Sequence, residues 1–378
     1  MQQTLNNTCE SAAKSTTYGR IQELDGLRGI AILMVVFFHY GSVQLSGNTN
    51  PIAKIFEKAT YFGWAGVDLF FVLSGFLICS ILLKYRHSKN YFSTFYKRRV
   101  LRIFPVYFLL LLIYIILSHL PLFSNFSFLT EKRGVPLWSY FAMLQNFYMA
   151  NANSLGNKSL SVTWSISIEE QFYIIFPFIV FYFKKWWLLL VLLLSVIAAP
   201  IFRSQYSDWV PGYVLLHSRM DALSFGALIA FFNYYADVKS WVDKYYFPLI
   251  LILIASILSC FIIHYANGEV GTIRHTLFGI FFSGLLLLAI TKKSALFAVV
   301  LRNKYLTRIG AISYSLYLFH FIILGICHFL FGNDHIGIEN AKDVLITLFA
   351  LSVSFIFSYF IYRFYETPAV LKGKKIQY

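Results

Sequence analysis

The chain has 378 residues, of which 58% are hydrophobic and only 13% are charged, and its formal net charge is +15. Soluble globular domains contain about 25% charged residues, so this composition excludes an ordinary soluble domain. The basic residues cluster at the ends of long apolar segments, where they set orientation in a membrane. We therefore predict an all-α, multi-pass membrane protein and no nucleic-acid partner.

The apolar segments predict ten membrane-spanning helices in one bundle. They lie at 27–45, 65–83, 101–119, 166–183, 186–201, 212–233, 247–264, 273–291, 309–331 and 342–362. With the N-terminus inside, 22 of the 32 Lys and Arg residues lie on the cytoplasmic side, as the positive-inside rule requires. We expect both termini to be cytoplasmic, with a polar tail at 1–19 that shows no signal peptide and a basic tail at 371–378.

One further apolar segment, 135–150, is short for a full crossing. If it crossed the membrane, every later loop would change sides and the charge asymmetry would be lost. We predict that it is re-entrant or interfacial.

The first predicted helix contains two ionisable residues on one face. Arg28 and His39 are eleven positions apart, which amounts to three helical turns and about 16 Å along the axis. Such residues in a lipid-embedded helix usually face a bundle interior or a water-filled cavity. His39 is either a general base or a histidine bonded to a helix carbonyl. Arg28 either binds an anion such as a phosphate or pairs locally with Asp25.

A second basic cluster opens the third predicted helix, in the run KRRVLRIFPVY. Arg98, Arg99 and Arg102 are three or four residues apart and form one cationic face. Orientation in the membrane would explain basic residues here. Because Arg102 lies beyond the solvated run, however, we favour a site for a polyphosphate ligand.

Two carboxylates, Glu169 and Glu170, enter the fourth predicted helix from the outer side, after Ser165 and Ser167. Helix capping explains part of this pattern. Capping does not require two carboxylates, so we expect one of them to orient a sugar hydroxyl or to bind an arginine.

Two further pairs of charged residues are predicted to have structural roles. Arg219 and Asp221 are two residues apart in an apolar helix, so each needs a partner on another helix or water in a cavity. At the end of the last helix, Arg363 and Glu366 are predicted to pair locally, and Pro368 is predicted to end the helix.

The ninth predicted helix has a polar stripe formed by Ser313, Tyr317 and His320 at i, i+4 and i+7. His320 is equally consistent with a bonded core histidine and a substrate contact. No carboxylate lies at metal spacing from it, so no metal is expected. The four cysteines are predicted to be packing thiols: Cys9, Cys79, Cys260 and Cys327.

Taken together, these segments resemble the membrane acyltransferase-3 family, which includes O-antigen and other polysaccharide O-acetyltransferases. The similarity covers about residues 20–370, the predicted membrane domain. It rests on an ordered set of motifs: LDGLRGIAILMVVFFH, FFVLSGFLI, RRVLRIFPVY, WSISIEEQFY, RMDALSFGALIA, SYSLYLFH and YRFYETPA. Many family members append a periplasmic esterase-like domain. This sequence shows none, so we expect any such module to be separate.

The resemblance implies transfer of an acetyl group from cytoplasmic acetyl-CoA to a hydroxyl of a glycan or lipid-linked glycan outside the bacterial inner membrane. It implies catalytic roles for Arg28 and His39, and donor binding by Arg28, Arg98, Arg99 and Arg102. The acceptors that the resemblance implies include lipopolysaccharide O-antigen. We place substrate contacts among the remaining polar motif residues: Ser74, Trp164, Glu169, Glu170, Arg219, Asp221, Tyr317 and His320.

In the mechanism expected from these residues, the pantetheine arm passes through the bundle and presents the thioester to His39. His39 then deprotonates the acceptor hydroxyl or is itself acylated; the sequence leaves both open. A transporter or flippase of a glycan precursor is the alternative class, although no inverted repeat or pair of broken helices indicates one. The sequence does not indicate an oligomeric state.

Overall fold

A computed structural model of the protein describes residues 21–267, 272–292, 296–332 and 336–378. The predicted tail at 1–19 and Cys9 lie outside the described residues. Across these ranges the regular structure is helical and contains no strand. The predicted all-α membrane fold is therefore confirmed.

Ten described helical segments are long and apolar enough to cross a membrane, the number that the sequence predicts. They are α1 Gln22–Leu45, α2 Pro51–Lys84, α3 Tyr91–His119, α4 Lys158–Tyr182, α5 Lys185–Ser204, α6 Trp209–Tyr235, α7 Tyr246–Ala266, α8 Arg274–Thr291, α9 Ser313–Phe331 and α10 Ala341–Lys374.

The segment 135–150 forms two short helices, Leu137–Phe141 and Gln145–Asn151. They are separated by a turn in which Met143 has a φ of 56°. Neither helix is long enough to cross a bilayer, which needs about 20 residues. The buried side-chain amide of Gln145 donates to the Tyr107 hydroxyl, so the segment packs into the bundle.

Helices α2 and α6 make a very close contact at the centre of the bundle. A Cβ on Gly75 would lie 1.9 Å from the carbonyl oxygen of Leu223, and a Cβ on Gly226 would lie 1.9 Å from that of Val72. Glycine at both positions allows the backbones to touch, as is common between helices in membranes. This contact positions the polar side chains that α2 and α6 direct toward each other.

The end of α10 differs from the prediction. The helix does not stop at Pro368 but continues through a π-helical turn, Tyr362–Glu366, into the α-helical stretch Thr367–Lys374. Pro368 lies in the first turn of that stretch, where a missing N–H is tolerated. Glu366 accepts a hydrogen bond from the Ser315 hydroxyl at 2.6 Å, rather than serving the predicted pair with Arg363.

Candidate active site

A cavity of about 670 Å³ opens where α1 ends and where α2, α4, α6 and α8 begin. We name it the histidine cavity, because partly buried His39 lies in its wall. Its volume falls in the range of small-molecule sites, about 300–1,000 Å³. Around His39 the wall is largely aromatic: Phe38, Tyr61, Trp64, Trp164, Trp209, Tyr213 and Phe321.

A π-helical turn at the end of α1 positions His39. The hydrogen bonding is α-helical from Gln22 to Phe37 and π-helical over Phe38–Ser42. Gly41 lets this turn approach α2 closely, because a Cβ there would lie 2.7 Å from Oγ1 of Thr60. Single π-helical turns are frequent at functional sites. The sequence prediction placed His39 on a regular α-helix. Because His39 lies in a π-helical turn, that prediction gives its position relative to Arg28 only approximately.

A second cavity, of about 170 Å³, lies toward the opposite end of α1 and is lined also by α2, α3, α4 and α9. We name it the arginine cavity, because Arg28, Arg99 and Arg102 line it. Arg28 also forms the predicted local pair with Asp25, at 3.0 Å. The two readings of Arg28 are thus compatible: it pairs with a neighbour and still faces a cavity.

Two guanidinium groups of the arginine cavity keep unused hydrogen-bonding capacity. Arg99 is flanked by the rings of Phe95 and Tyr173, whose centroids lie 5.7 and 5.6 Å from its Cζ. Its buried Nε has no hydrogen-bond partner among the described residues. Arg102 is exposed and, within the same ranges, forms no ion pair. These groups are suited to bind an anion.

Arg98 points elsewhere. Its guanidinium donates to the carbonyl oxygen of Ile376 at 2.6 and 3.0 Å and lies 4.8 Å from the ring centroid of Tyr378. It does not line the arginine cavity. Two side chains that are four positions apart on one helix can still contact different neighbours. The spacing of Arg98 and Arg102 therefore did not show that only Arg102 lines the cavity.

The two cavities meet at a shared wall formed by Val67 and Tyr317. The Tyr317 hydroxyl donates to the carbonyl oxygen of Val162 at 2.9 Å and lies 2.7 Å from Oγ of Ser165. This arrangement corrects the expectation of one continuous passage from the basic end to His39. The buried side chain of Tyr317, hydrogen-bonded to the first part of α4, lies between the arginine cavity and the histidine cavity.

Ser74 and Glu169 line the arginine cavity, not the histidine cavity. The Tyr173 hydroxyl joins them, lying 2.5 Å from Oγ of Ser74 and 3.1 Å from Oε2 of Glu169. The α-helical part of α4 already begins at Trp164, so the capping interpretation of Glu169 and Glu170 is wrong. Glu170 is buried and lines neither cavity.

Arg219 and Asp221 have the partners on other helices that the sequence predicts. Arg219 pairs with Asp68 of α2 at 2.5 Å, and Asp221 pairs with Arg203 of α5 at 2.8 Å. Neither Arg219 nor Asp221 lines the arginine cavity or the histidine cavity. The rings of Trp164 and Tyr213, which line the histidine cavity, have centroids 5.6 and 5.1 Å from the guanidinium carbon of Arg219.

The model of a family described as an acyltransferase domain matches residues 21–363, nearly the whole chain. The chain belongs to the acyltransferase-3 family. The resemblance predicted from the sequence motifs is thereby confirmed. No solved structure matches the chain at a significant level.

Curated relatives of this acyltransferase-3 chain include the O-acetyltransferase OatA of Staphylococcus aureus strain NCTC 8325, which is 28% identical over 373 residues. That alignment covers 93% of this chain and 57% of OatA. A second protein, from S. aureus strain COL, is provisionally named an O-acetyltransferase and is 30% identical over 383 residues, covering 94% of this chain and 58% of its own. The chain thus spans somewhat more than half the length of the curated relatives it matches.

Several site residues of this acyltransferase-3 chain were missed by sequence reasoning. Tyr173 belongs to the motif WSISIEEQFY but was not predicted as a site residue, although its hydroxyl joins Ser74 to Glu169. Asp68 and His275 flank Arg219, with His275 Nε2 3.2 Å from the guanidinium. A lone aspartate in the apolar run of α2 was the available signal for Asp68, because an unpaired carboxylate there would be costly.

Proposed function

We propose that this chain transfers an acetyl group from cytoplasmic acyl-CoA to a hydroxyl of a glycan on the other side of the membrane. One observation supports it above others: the arginine cavity and the histidine cavity lie toward opposite ends of α1, at Arg28 and at His39, and share the wall at Tyr317. The arginine cavity suits a phosphate-bearing donor, and the larger aromatic cavity suits a sugar. The predicted cytoplasmic N-terminus gives the direction.

In this proposal Arg99 and Arg102 bind the phosphates of the donor, and Arg28 lies deeper along the same route. The pantetheine arm passes the Tyr317 wall when that side chain moves aside. His39 accepts the proton of the acceptor hydroxyl as its oxygen attacks the thioester carbonyl. The C–O bond forms, the C–S bond breaks, and the same proton passes from His39 to the departing thiolate. The products are the O-acetylated glycan and free CoA.

The decisive experiment uses the purified full chain in liposomes, with acetyl-labelled acetyl-CoA on one side and a mixture of surface glycans on the other. Label that appears on the glycan supports the proposal. Glycan that crosses the membrane without gaining label contradicts it and indicates a transporter. Mass spectrometry of the labelled product identifies the acceptor sugar and the modified hydroxyl.

The two faces of the α3 basic cluster give a matched pair of variants. We expect Arg102→Gln to weaken acetyl-CoA binding about 10- to 100-fold, because it removes a charge-assisted hydrogen bond worth about 1.5–3 kcal/mol. Arg98→Gln lies on the same helix but outside the cavity, and we expect binding to change less than twofold. Calorimetric titration of both variants with acetyl-CoA measures the difference. Equal losses would assign the cluster to membrane orientation instead.

The wall between the cavities gives another prediction. Tyr317→Ala removes the side chain that divides them and lets water reach an incoming thioester. We expect the ratio of acetyl-CoA hydrolysis to acetyl transfer to rise several-fold, measured by thiol release with and without acceptor. An unchanged ratio would mean that Tyr317 does not separate donor from water.

A further inference from the structure

A second histidine lies directly behind His39. Nε2 of His320, on α9, is 3.1 Å from Nδ1 of His39, and the ring centroids are 5.0 Å apart. His320 is completely buried and lines neither cavity, whereas His39 is partly exposed to the histidine cavity. His320 is therefore placed to act on His39 and not on a substrate.

The hydrogen bonds of the two rings define where their protons are. A carbonyl oxygen only accepts, so a ring nitrogen bonded to one must carry hydrogen. Nδ1 of His320 lies 2.9 Å from the carbonyl oxygen of Leu316, and Nδ1 of His39 lies 3.0 Å from that of Val35. Both neutral rings are then Nδ1–H tautomers, and Nε2 of His320 presents a lone pair to the Nδ1–H of His39.

This arrangement leaves Nε2 of His39 as the basic nitrogen. Among the described residues no side chain or carbonyl bonds to that atom, and the ring borders the histidine cavity. Nδ1–H of His39 is shared between Val35 and His320, so the ring has no second arrangement that satisfies the same partners. The tautomer is the one that a general base acting on a substrate in the cavity requires.

His320 is itself rigidly placed. The Tyr40 hydroxyl donates to its backbone oxygen at 2.8 Å and lies 2.8 Å from the hydroxyl of Ser354 on α10. Neither imidazole bonds to a carboxylate within the described ranges. In hydrolytic triads a carboxylate accepts the hydrogen bond from the basic histidine; here a neutral imidazole occupies that place.

We propose that His320 is a positioning residue, which accepts the Nδ1–H of His39 and stabilises the positive charge that His39 gains during transfer. This inference rests on the proposed function, since it assigns His39 as the base. While Nε2 of His39 holds the proton of the acceptor hydroxyl, its Nδ1–H bond to His320 becomes charge-assisted and stronger. The proton then leaves from Nε2 to the thiolate, and both rings return to their neutral tautomers.

Two substitutions separate the acceptor role from simple packing. His320→Phe keeps a ring of similar size but removes the lone pair, and we expect kcat to fall about 10- to 100-fold with little change in the KM for acetyl-CoA. His320→Gln places an amide oxygen near the position of Nε2, and we expect it to restore most of the lost kcat. Full kcat in His320→Phe, or equally low kcat in both folded variants, would overturn the proposal.

A measurement on the wild-type chain tests the same idea without catalysis. In protein labelled with 15N-histidine, the His39 signals are assigned by their loss in His39→Gln. We expect protonated Nδ1 and unprotonated Nε2 for His39 in neutral form; protonated Nε2 would overturn the proposal. If the wild-type chain transferred no acetyl group, the proposed function would fail, yet the 15N spectrum would still decide the tautomer. If His39→Gln retained normal acetyl transfer, His39 would not be the base, and the role proposed for His320 would be overturned.

Discussion

Replacing His39 with glutamine is expected to lower the rate of acetyl transfer about a thousandfold, the middle of the range for loss of a general base. Glutamine has a similar length and remains polar, but it does not take up a proton near neutral pH. Binding of acetyl-CoA should change little, because Arg99 and Arg102 lie in the other cavity. Initial rates of label transfer and calorimetric titration measure the two effects on the same preparation.

The matched control is His119→Gln, which alters an exposed histidine at the end of α3 that lines neither cavity. Its rate should equal that of the wild type. If His39→Gln transferred acetyl at the wild-type rate, His39 would not be the base. If it lost acetyl-CoA binding as well, the two cavities would not act as separate donor and acceptor sites.

Replacing Asp68 with leucine is expected to destabilise the fold by about 3–5 kcal/mol, the cost of leaving a buried charge without its partner. Asp68 and Arg219 have no exposed side-chain area, and they join α2 to α6 about two helical turns before the close backbone contact at Gly75 and Gly226. Unfolding in mixed micelles with increasing dodecyl sulfate measures this loss.

A double-mutant cycle makes that prediction specific. Arg219→Met alone should also be destabilising, whereas Asp68→Leu with Arg219→Met should recover much of the loss, because neither member of the pair is left as an unpaired buried charge. Additive losses would show that the two side chains are not energetically coupled. His275, which lies 3.5 Å from Asp68 and 3.2 Å from Arg219, is present in all three variants, so the cycle measures the coupling of the pair in the presence of this histidine.

The spans were predictable because hydropathy is a local property. A helix in lipid satisfies its own backbone, so a stretch of apolar residues suffices to indicate it. The ten predicted spans agree with the observed helices within the described residues, but several helices extend further, as α4 does by eight residues at its start, and α9 begins four residues later than predicted. The missed end of α10 has a specific cause: a π-helical turn before Pro368 is decided by packing and not by local preference.

The residue types of the candidate site were predictable from the sequence, but which of these residues line the same cavity was not. Arg28, Arg99 and Arg102 do line one cavity, and His39 lines another, but Arg98 holds the last residues of the chain instead. Spacing on one helix gives the relative direction of side chains. It does not say which neighbouring helix each of them meets.

The amino-acid sequence alone determined that this is an all-α membrane protein, with ten candidate spans in the part that the structure describes, and which few ionisable residues its apolar helices contain. Both follow from the cost of placing polar groups in lipid, which is set residue by residue. Only the tertiary structure decided that Tyr317 divides the interior, that Asp68 neutralises Arg219, and that His320 faces His39. Each of these contacts joins helices far apart in the chain, and their geometry depends on how the whole bundle packs.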